Sequence, residues 1–355
     1  MDFDSLGITK KEFKIDRDKL IAIGNLLTNE KKFFLACHMR PDGDAIGSML
    51  ALGNSLISQD KDVIMYCVDP VPEQLRFLKG TDKITNNAST ISEDMTLIML
   101  DCSEPKRIGA KGEEIFYTTK KRIVLDHHLS DQEPDVTICY QDPSLFATGA
   151  LIFYLLEELN WPINKDLAES LYTAILTDTG CFRHNNTTEL AFEMAKKLVG
   201  LGARPDFVAQ MLYQNYPLRR LHLLAFVLKT LDIRLNGKIA TIHATPEMFK
   251  VSKATEADSE DFVSYARSIN TVEVAIFIRE VHAGHCSVSL RSKRFFNVAK
   301  VAKEFGGGGH FFAAGFRTTG TVQEVREKLL KRVEELLIEI DTEILIEVQS
   351  ESGDV

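Results

Sequence analysis

Short apolar runs alternate with helix-period stretches through the first half of the chain. Phe33-Phe34-Leu35-Ala36-Cys37 is a run of buried-strand type. A turn, Arg40-Pro41-Asp42-Gly43, follows it, and Ala45 to Ile57 then carries apolar residues at helical spacing. Val63–Cys67, Leu97–Leu100 and Ile123–Leu125 read as three further strands. Strands that are continuously apolar, with helices between them, indicate a parallel sheet covered on both faces. Helical periodicity returns at Thr148–Leu159, Leu167–Leu176 and Glu189–Leu201.

Between Pro205 and Leu231 the helical period is interrupted at Tyr216-Pro217. Proline disfavours helix for the residue before it, so this stretch is expected to be a helical linker between domains. The pattern then changes. Lys238–His243, Val272–Val281 and Cys286–Leu290 predict strands of a second sheet, interleaved with helices at Asp258–Ser268 and Val298–Glu304. Val322–Ile340 predicts a charged amphipathic helix, and Asp341–Val355 a terminal strand and an acidic tail. The expected division is an α/β parallel-sheet domain over 1–204, the linker over 205–231, a smaller α/β domain over 232–345 and the tail over 346–355.

A length of 355 residues accommodates two such domains. The net charge of −9 argues against long duplex nucleic acid as a ligand, because proteins that grip many phosphates carry basic surface. Nucleotides, if bound, should be small and held by a few local contacts. No run of about 18 apolar residues predicts a membrane span. The first fourteen residues, Met1 to Lys14, lack the features of a signal peptide, so a cytoplasmic location is expected. The six cysteines form no C-x-x-C pair and sit mostly in apolar runs, as reduced, packed side chains would.

Chemistry-bearing residues follow the predicted strands. His38, Asp42 and Asp44 follow the first, Asp101 the third, and Asp126-His127-His128 the fourth, while Asp178 follows a helix. Ligands of open α/β sheets bind beyond the carboxyl ends of the strands, so these groups are expected to converge. Imidazole with several carboxylates suits a hard-to-borderline divalent ion such as Mn²⁺. Each group alone has a plainer reading. An Asp-x-Asp after a strand is commonly a helix cap and a solvated loop, and Asp178 before Thr-Gly could punctuate a turn. Together they would require four coincidences at predicted element ends. The ligands suffice for two ions sharing a carboxylate, the usual apparatus for in-line displacement at phosphorus.

In the second half, Gly306-Gly307-Gly308-Gly309-His310 follows a predicted helix and precedes Phe311-Phe312-Ala313-Ala314. Consecutive glycines let main-chain N–H groups approach an anion closely; a flexible hinge is the alternative. Ser289-Leu290-Arg291-Ser292 closes a strand, where Arg291 could hold phosphate bidentately or form a surface ion pair.

These residues, in this order, resemble the four motifs of the DHH phosphoesterase family and the glycine-rich motif of its associated C-terminal domain. The resemblance covers nearly the whole chain and is similar to the NrnA subgroup, oligoribonucleases that also dephosphorylate 3′-phosphoadenosine 5′-phosphate. It implies an active site in the cleft between a metal-binding and a substrate-binding domain. One Mn²⁺ (or Mg²⁺ or Co²⁺) would be held by His38, Asp42 and Asp101, and the other by Asp44, Asp101, His127 and Asp178. His128 would face the scissile phosphate, with Asp126 orienting its neighbours. Arg291, Ser292 and the glycines 306 to 309 with His310 would hold the substrate, and Arg107 and Arg183 stand near the motifs. The implied partners are short RNA, dinucleotides and nucleoside bisphosphates, and a homodimer is allowed. A polyphosphatase, a cyclic dinucleotide phosphodiesterase, a long-strand exonuclease and a non-catalytic nucleotide-binding module are the rival readings. No expected metal position is substituted, which speaks against the last.

Overall fold

The computed structural model describes residues 15–88, 94–128 and 134–351. The leading segment 1–14 and the last four residues of the expected tail lie outside them. The chain divides into two compact units, Met1–Asn215 and Tyr216–Val355.

The first unit runs α1 (Arg17–Asn29), β1 (Lys32–Cys37), α2 (Gly43–Ser58), β2 (Asp62–Tyr66), β3 (Ile84–Thr85), β4 (Thr96–Leu100), α3 (Gly109–Thr118), β5 (Lys121–Asp126), β6 (Ile138–Gln141), α4 (Thr148–Glu158), α5 (Lys165–Asp178), α6 (Glu189–Gly200) and α7 (Pro205–Tyr213). Its six-stranded sheet has the order β3-β2-β1-β4-β5-β6, and every pairing is parallel. Successive residues of β1 explain why the run is apolar throughout. Phe33, Leu35 and Cys37 enter a core with α1, α2, α4 and α5, while Phe34 and Ala36 enter a second core with Ile115 and Phe116 of α3.

The second unit runs α8 (Leu218–Leu228), β7 (Asp232–Arg234), β8 (Ile239–Ala244), α9 (Pro246–Ser252), α10 (Val263–Arg267), β9 (Val274–His282), β10 (His285–Ser292), α11 (Val298–Glu304), β11 (Gly308–His310), β12 (Ala313–Thr319) and α12 (Val322–Glu351). The sheet order is β11-β12-β10-β9-β8-β7, antiparallel except for β8 with β9. Among the described residues, no helix is long and apolar enough to cross a membrane.

Three expectations change. The stretch expected as a linker is divided at Asn215/Tyr216, with each half packed into its own unit: Val208 and Leu212 of α7 join the first core, and Leu223, Leu224 and Val227 of α8 join the second unit's. The helix expected over Asp258–Ser268 is broken. A 3₁₀ turn over Glu256–Ser259 is closed by a reciprocal Thr255–Asp258 cap, Asp261 takes a left-handed φ of 61°, and Arg220 binds the carbonyls of Asp258 and Glu260. The terminal strand expected after Asp341 is absent, since α12 continues to Glu351.

The close meeting of α2, α4 and α5 rests on residues without side chains. A Cβ at Gly47 would lie 2.4 Å from the Ser170 carbonyl oxygen of α5, and one at Gly149 would lie 2.6 Å from the Ala174 Cβ. Overpacking of this kind costs about 1–3 kcal/mol. Gly47→Ala is therefore expected to lower the unfolding free energy of the first unit by that amount, read by denaturant titration as a lower midpoint; an unchanged midpoint would show that the helices part freely.

Candidate active site

β1 and β4 lie side by side with Cys37 opposite Leu100. Each strand then delivers its next residue, His38 and Asp101, at the same level. His38 Nε2 stands 3.3 Å from Asp101 Oδ2. This is also where the strand order reverses, so the loops leaving the two strands diverge and open a crevice. Asp101 adopts a φ of 60°, unusual for a residue with a side chain, and its N–H is anchored on the Leu125 carbonyl.

α2 brings two carboxylates to the same rim. Asp42 is its N-cap, accepting the Ala45 N–H, and its Oδ1 lies 4.0 Å from His38 Nε2. Asp44, in the first turn, is fully buried. The positive end of a helix favours carboxylates there. Asp178 comes from the last residue of α5. The turn beyond it is left-handed at Gly180, Cys181 and Phe182, which sends the chain back so that Asn186 Nδ2 donates to Asp178 Oδ2.

β5 ends on Asp126, followed by His127 and His128. His127 Nε2 faces Asp101 Oδ1 at 3.6 Å, Asp44 Oδ2 at 3.7 Å and Asp178 Oδ2 at 3.7 Å. It is buried and makes no hydrogen bond. The other ring nitrogen, Nδ1, is 3.3 Å from the Leu145 carbonyl, an acceptor that selects the tautomer with its proton on Nδ1. In that tautomer the Nε2 lone pair points into three carboxylates, an arrangement that calls for a positive charge there, as a proton on Nε2 or a metal ion between the groups. Three three-residue sets offer ligand atoms all within 4.8 Å of one another: His38, Asp42 and Asp101; Asp44, His127 and Asp178; and Asp101, His127 and His128, which joins the other two through Asp101 and His127. The donor chemistry fits two divalent cations with Asp101 between them.

Electrostatics agree. Burial, then Asp44 and Asp42, hold the Asp101 carboxyl well above the usual carboxylate range. Burial also raises Asp178, against the pull of His127 and with the push of Asp44 and Asp42, up to about 7. Burial alone would lower His127, but Asp178, Asp101 and Asp44 outweigh it and push it up to about 9. The cluster thus lacks positive charge.

His128 is held differently. Its Nδ1 lies 2.7 Å from Asp126 Oδ1, which also accepts its backbone N–H. Burial raises Asp126, but the bonds from His128 prevail and hold it below the usual range. Gln141 Nε2 braces both residues, donating to the His128 carbonyl at 2.7 Å and approaching Asp126 Oδ2 at 3.4 Å.

The eight histidines and aspartates singled out in the first half therefore converge. Arg107 borders them: its carbonyl accepts the Met39 N–H, and its side chain is half-buried. Arg183 is exposed, with Nε on the Gly180 carbonyl. In the second unit, Arg291 is the penultimate residue of β10, with Nη1 donating to the Leu290 carbonyl. Burial lowers its proton affinity; Asp261 opposes this and Arg267 reinforces it. Ser292 does not offer its hydroxyl, which is buried and donates to the Phe296 carbonyl at 2.6 Å. The glycine run is not an open nest either. The Gly306 and Gly307 N–H groups close the end of α11 on the Lys303 and Ala302 carbonyls, and Gly308 to His310 pair with β12. Glycine is required there by close strand approach, since a Cβ at Gly307 would lie 2.2 Å from the Gly315 carbonyl oxygen. The side chain of His310 lies outside the described part of the structure.

Sequence reasoning missed Ser48, which bonds Asp44 within α2, and Gln141, Thr148, Gly149 and Asn186, which bond the acidic residues from elsewhere in the chain. One signal was present. The helix expected at Thr148 follows Ala147, which has no side-chain oxygen to cap it, so its first amides had to find an acceptor elsewhere.

Because like charges are buried at Asp101, Asp101→Asn is expected to raise the melting temperature in chelator and to abolish the further rise that Mn²⁺ gives the natural chain. Thermal melts with EDTA and with Mn²⁺ check both; a variant still stabilised by Mn²⁺ to the natural extent would exclude Asp101 as a ligand.

Comparison with known proteins follows the same division. Residues 32–175 match the DHH family, N-terminal domain, and residues 247–339 match the DHHA1 domain. The chain is 33% identical over 309 residues to the bifunctional oligoribonuclease and PAP phosphatase NrnA of Thermus thermophilus, covering 87% of this chain and 91% of the relative. It is 29% identical over 282 residues to the probable NrnA of Streptococcus mutans, covering 78% and 86%. Among solved structures, an exopolyphosphatase-related protein from Bacteroides fragilis superposes with a TM-score of 0.84 at 28% identity, over 92% of this chain and 99% of that one. The chain belongs to the DHH family of phosphoesterases, with a C-terminal DHHA1 domain.

Proposed function

We propose that this enzyme hydrolyses short oligoribonucleotides and dinucleotides to mononucleotides, and 3′-phosphoadenosine 5′-phosphate to AMP, with Mn²⁺ as its preferred ion and Mg²⁺ or Co²⁺ as substitutes. The carrying observation is the pair of ligand sets flanking Asp101, beside a histidine locked by a buried carboxylate. The named activities of the Thermus thermophilus and Streptococcus mutans relatives support the substrate class. When bound, a pair of divalent cations supplies an activated water and the positive charge that in-line displacement at phosphorus demands.

The chain's own groups do the rest. Asp126 fixes the His128 ring through Nδ1, so that Nε2, when protonated, can donate a hydrogen bond to a phosphoryl oxygen without reorienting as charge develops. Arg291, half-buried among Asp261, Arg267, Glu260 and Arg279, would take a substrate phosphate through its guanidinium. Backbone groups of Gly308 and Gly309 with His310 would hold the substrate beside it. Arg107 and Arg183 would contribute from the rim. The acidic net charge favours short substrates over long duplexes, and a cytoplasmic location follows for such a role.

An assay in Mn²⁺ across di- to long oligoribonucleotides, 3′-phosphoadenosine 5′-phosphate, cyclic dinucleotides and tripolyphosphate tests this. Turnover is expected to be highest on the dinucleotide and to fall with length. Cleavage of tripolyphosphate with dinucleotides ignored would instead support the polyphosphatase reading that the Bacteroides fragilis relative's description suggests. His128→Asn is expected to lower kcat by about a hundredfold or more, with little change in KM. Arg291→Ala should act the other way, raising KM for the nucleotide substrates while leaving the response to Mn²⁺ unchanged.

A further inference from the structure

Three features of the first unit meet at one residue. α4 begins at Thr148 without a capping side chain, because its N-cap is Ala147. The vacant cap position is filled from another helix: Asp44 Oδ2 accepts the Thr148 N–H at 2.6 Å, and Asp44 Oδ1 accepts the Gly149 N–H at 2.8 Å. A carboxylate at the positive end of a helix is stabilised in its charged form. Finally, Thr148 Oγ1 donates to Asp101 Oδ1 at 2.9 Å. Among the described residues, Thr148 is the one that donates to two of the carboxylates of the candidate metal centre.

The consequence lies in how Asp101 is turned. Its Oδ2 faces His38 and its Oδ1 faces His127. A carboxylate that serves two ions through its two oxygens would have to keep one toward each, and rotation about its last torsion is broad and soft. The Thr148 hydroxyl fixes that rotation. We propose that Thr148 is a positioning residue that couples the two ion positions, holding Asp44 through its amide and setting the bridging orientation of Asp101 through its hydroxyl.

The two ions should not suffer equally when the hydroxyl is lost. The set Asp44, His127 and Asp178 keeps Asp44 on the helix amides and Asp178 on Asn186 whatever Asp101 does. The set His38, Asp42 and Asp101 has no other buried carboxylate, since the Asp42 side chain is 57% exposed. The ion beside His38 is the one that depends on Thr148. Removing a group that orients a metal ligand typically lowers metal affinity about 10- to 100-fold.

This inference rests on the two-ion reading above, and the test separates the two. Mn²⁺ is titrated into the full-length protein, followed by calorimetry and by electron paramagnetic resonance, which distinguishes a spin-coupled pair from isolated ions. The natural chain is expected to bind two Mn²⁺ as a coupled pair; fewer than two would sink the two-ion reading itself. Thr148→Val keeps the side-chain shape and removes the donor. It is expected to keep one tight ion, bind the second about 10- to 100-fold more weakly, and show an isolated-ion spectrum at loadings that pair the natural protein. Thr148→Ser, which keeps the donor, should retain the coupled pair with affinity within about threefold. Should valine prevent folding, Thr148→Ala leaves space and both backbone donors and carries the same expectation. The role assigned to Thr148 is overturned if the valine or alanine variant binds a coupled pair with undiminished affinity. It is equally overturned if serine loses the second ion as valine does, because the methyl group and not the hydroxyl would then be what matters.

Discussion

Buried carboxylates of like charge are the constraint around which the first unit is built. Asp44, Asp101 and Asp126 are sealed from water, with Asp178 beside them largely covered. Such groups persist in a folded protein only when donors and counter-charges replace the lost hydration. Asp126 is answered entirely by protein, through His128 and Gln141, and remains ionised below the usual range. Asp44 and Asp101 accept donors from Thr148, Gly149 and Ser48 yet still stay raised, because burial and the neighbouring carboxylates outweigh those donors and His127. The difference separates a carboxylate bonded to a histidine from carboxylates whose surroundings would suit a cation.

Meeting that constraint requires backbone elements to end within a few ångströms of one another. The parallel register supplies part of this, since it aligns the ends of β1 and β4 and places His38 against Asp101. The rest comes from glycine. Without side chains at Gly43, Gly47 and Gly149, α2, α4 and α5 approach closely enough for the start of two helices and the end of a third to share one acidic cluster. Packing and chemistry are one problem here: the contact that brings α4 against α2 also places the amides of Thr148 and Gly149 on Asp44.

In the second unit the glycine run has a structural duty that its composition does not announce. Two of its amides terminate α11 and the rest of the run pairs as a short strand, so anion contact there falls to what the strand leaves open. Ser292 is likewise spent on the Phe296 carbonyl. Arg291 is half-buried among two carboxylates, Asp261 and Glu260, and two guanidiniums, Arg267 and Arg279.

The sequence by itself determined the elements whose signal is local. Continuous apolar runs marked β1, β2, β4 and β5, and helical spacing marked α2, α4, α5 and α6, because side-chain burial imposes a period on each. Acidic and imidazole residues just past those elements marked His38, Asp42, Asp44, Asp101, Asp126, His127, His128 and Asp178, since sheet topology directs such ends to one rim. Only the tertiary structure decided what holds them. Thr148 donates across 47 positions to Asp101, and its amide reaches Asp44 across 104; no local pattern encodes a bond between elements so far apart. The same limit hid the split of the expected linker at Asn215 and the break at Asp261, where Arg220 of α8 binds the Asp258 and Glu260 carbonyls just before it.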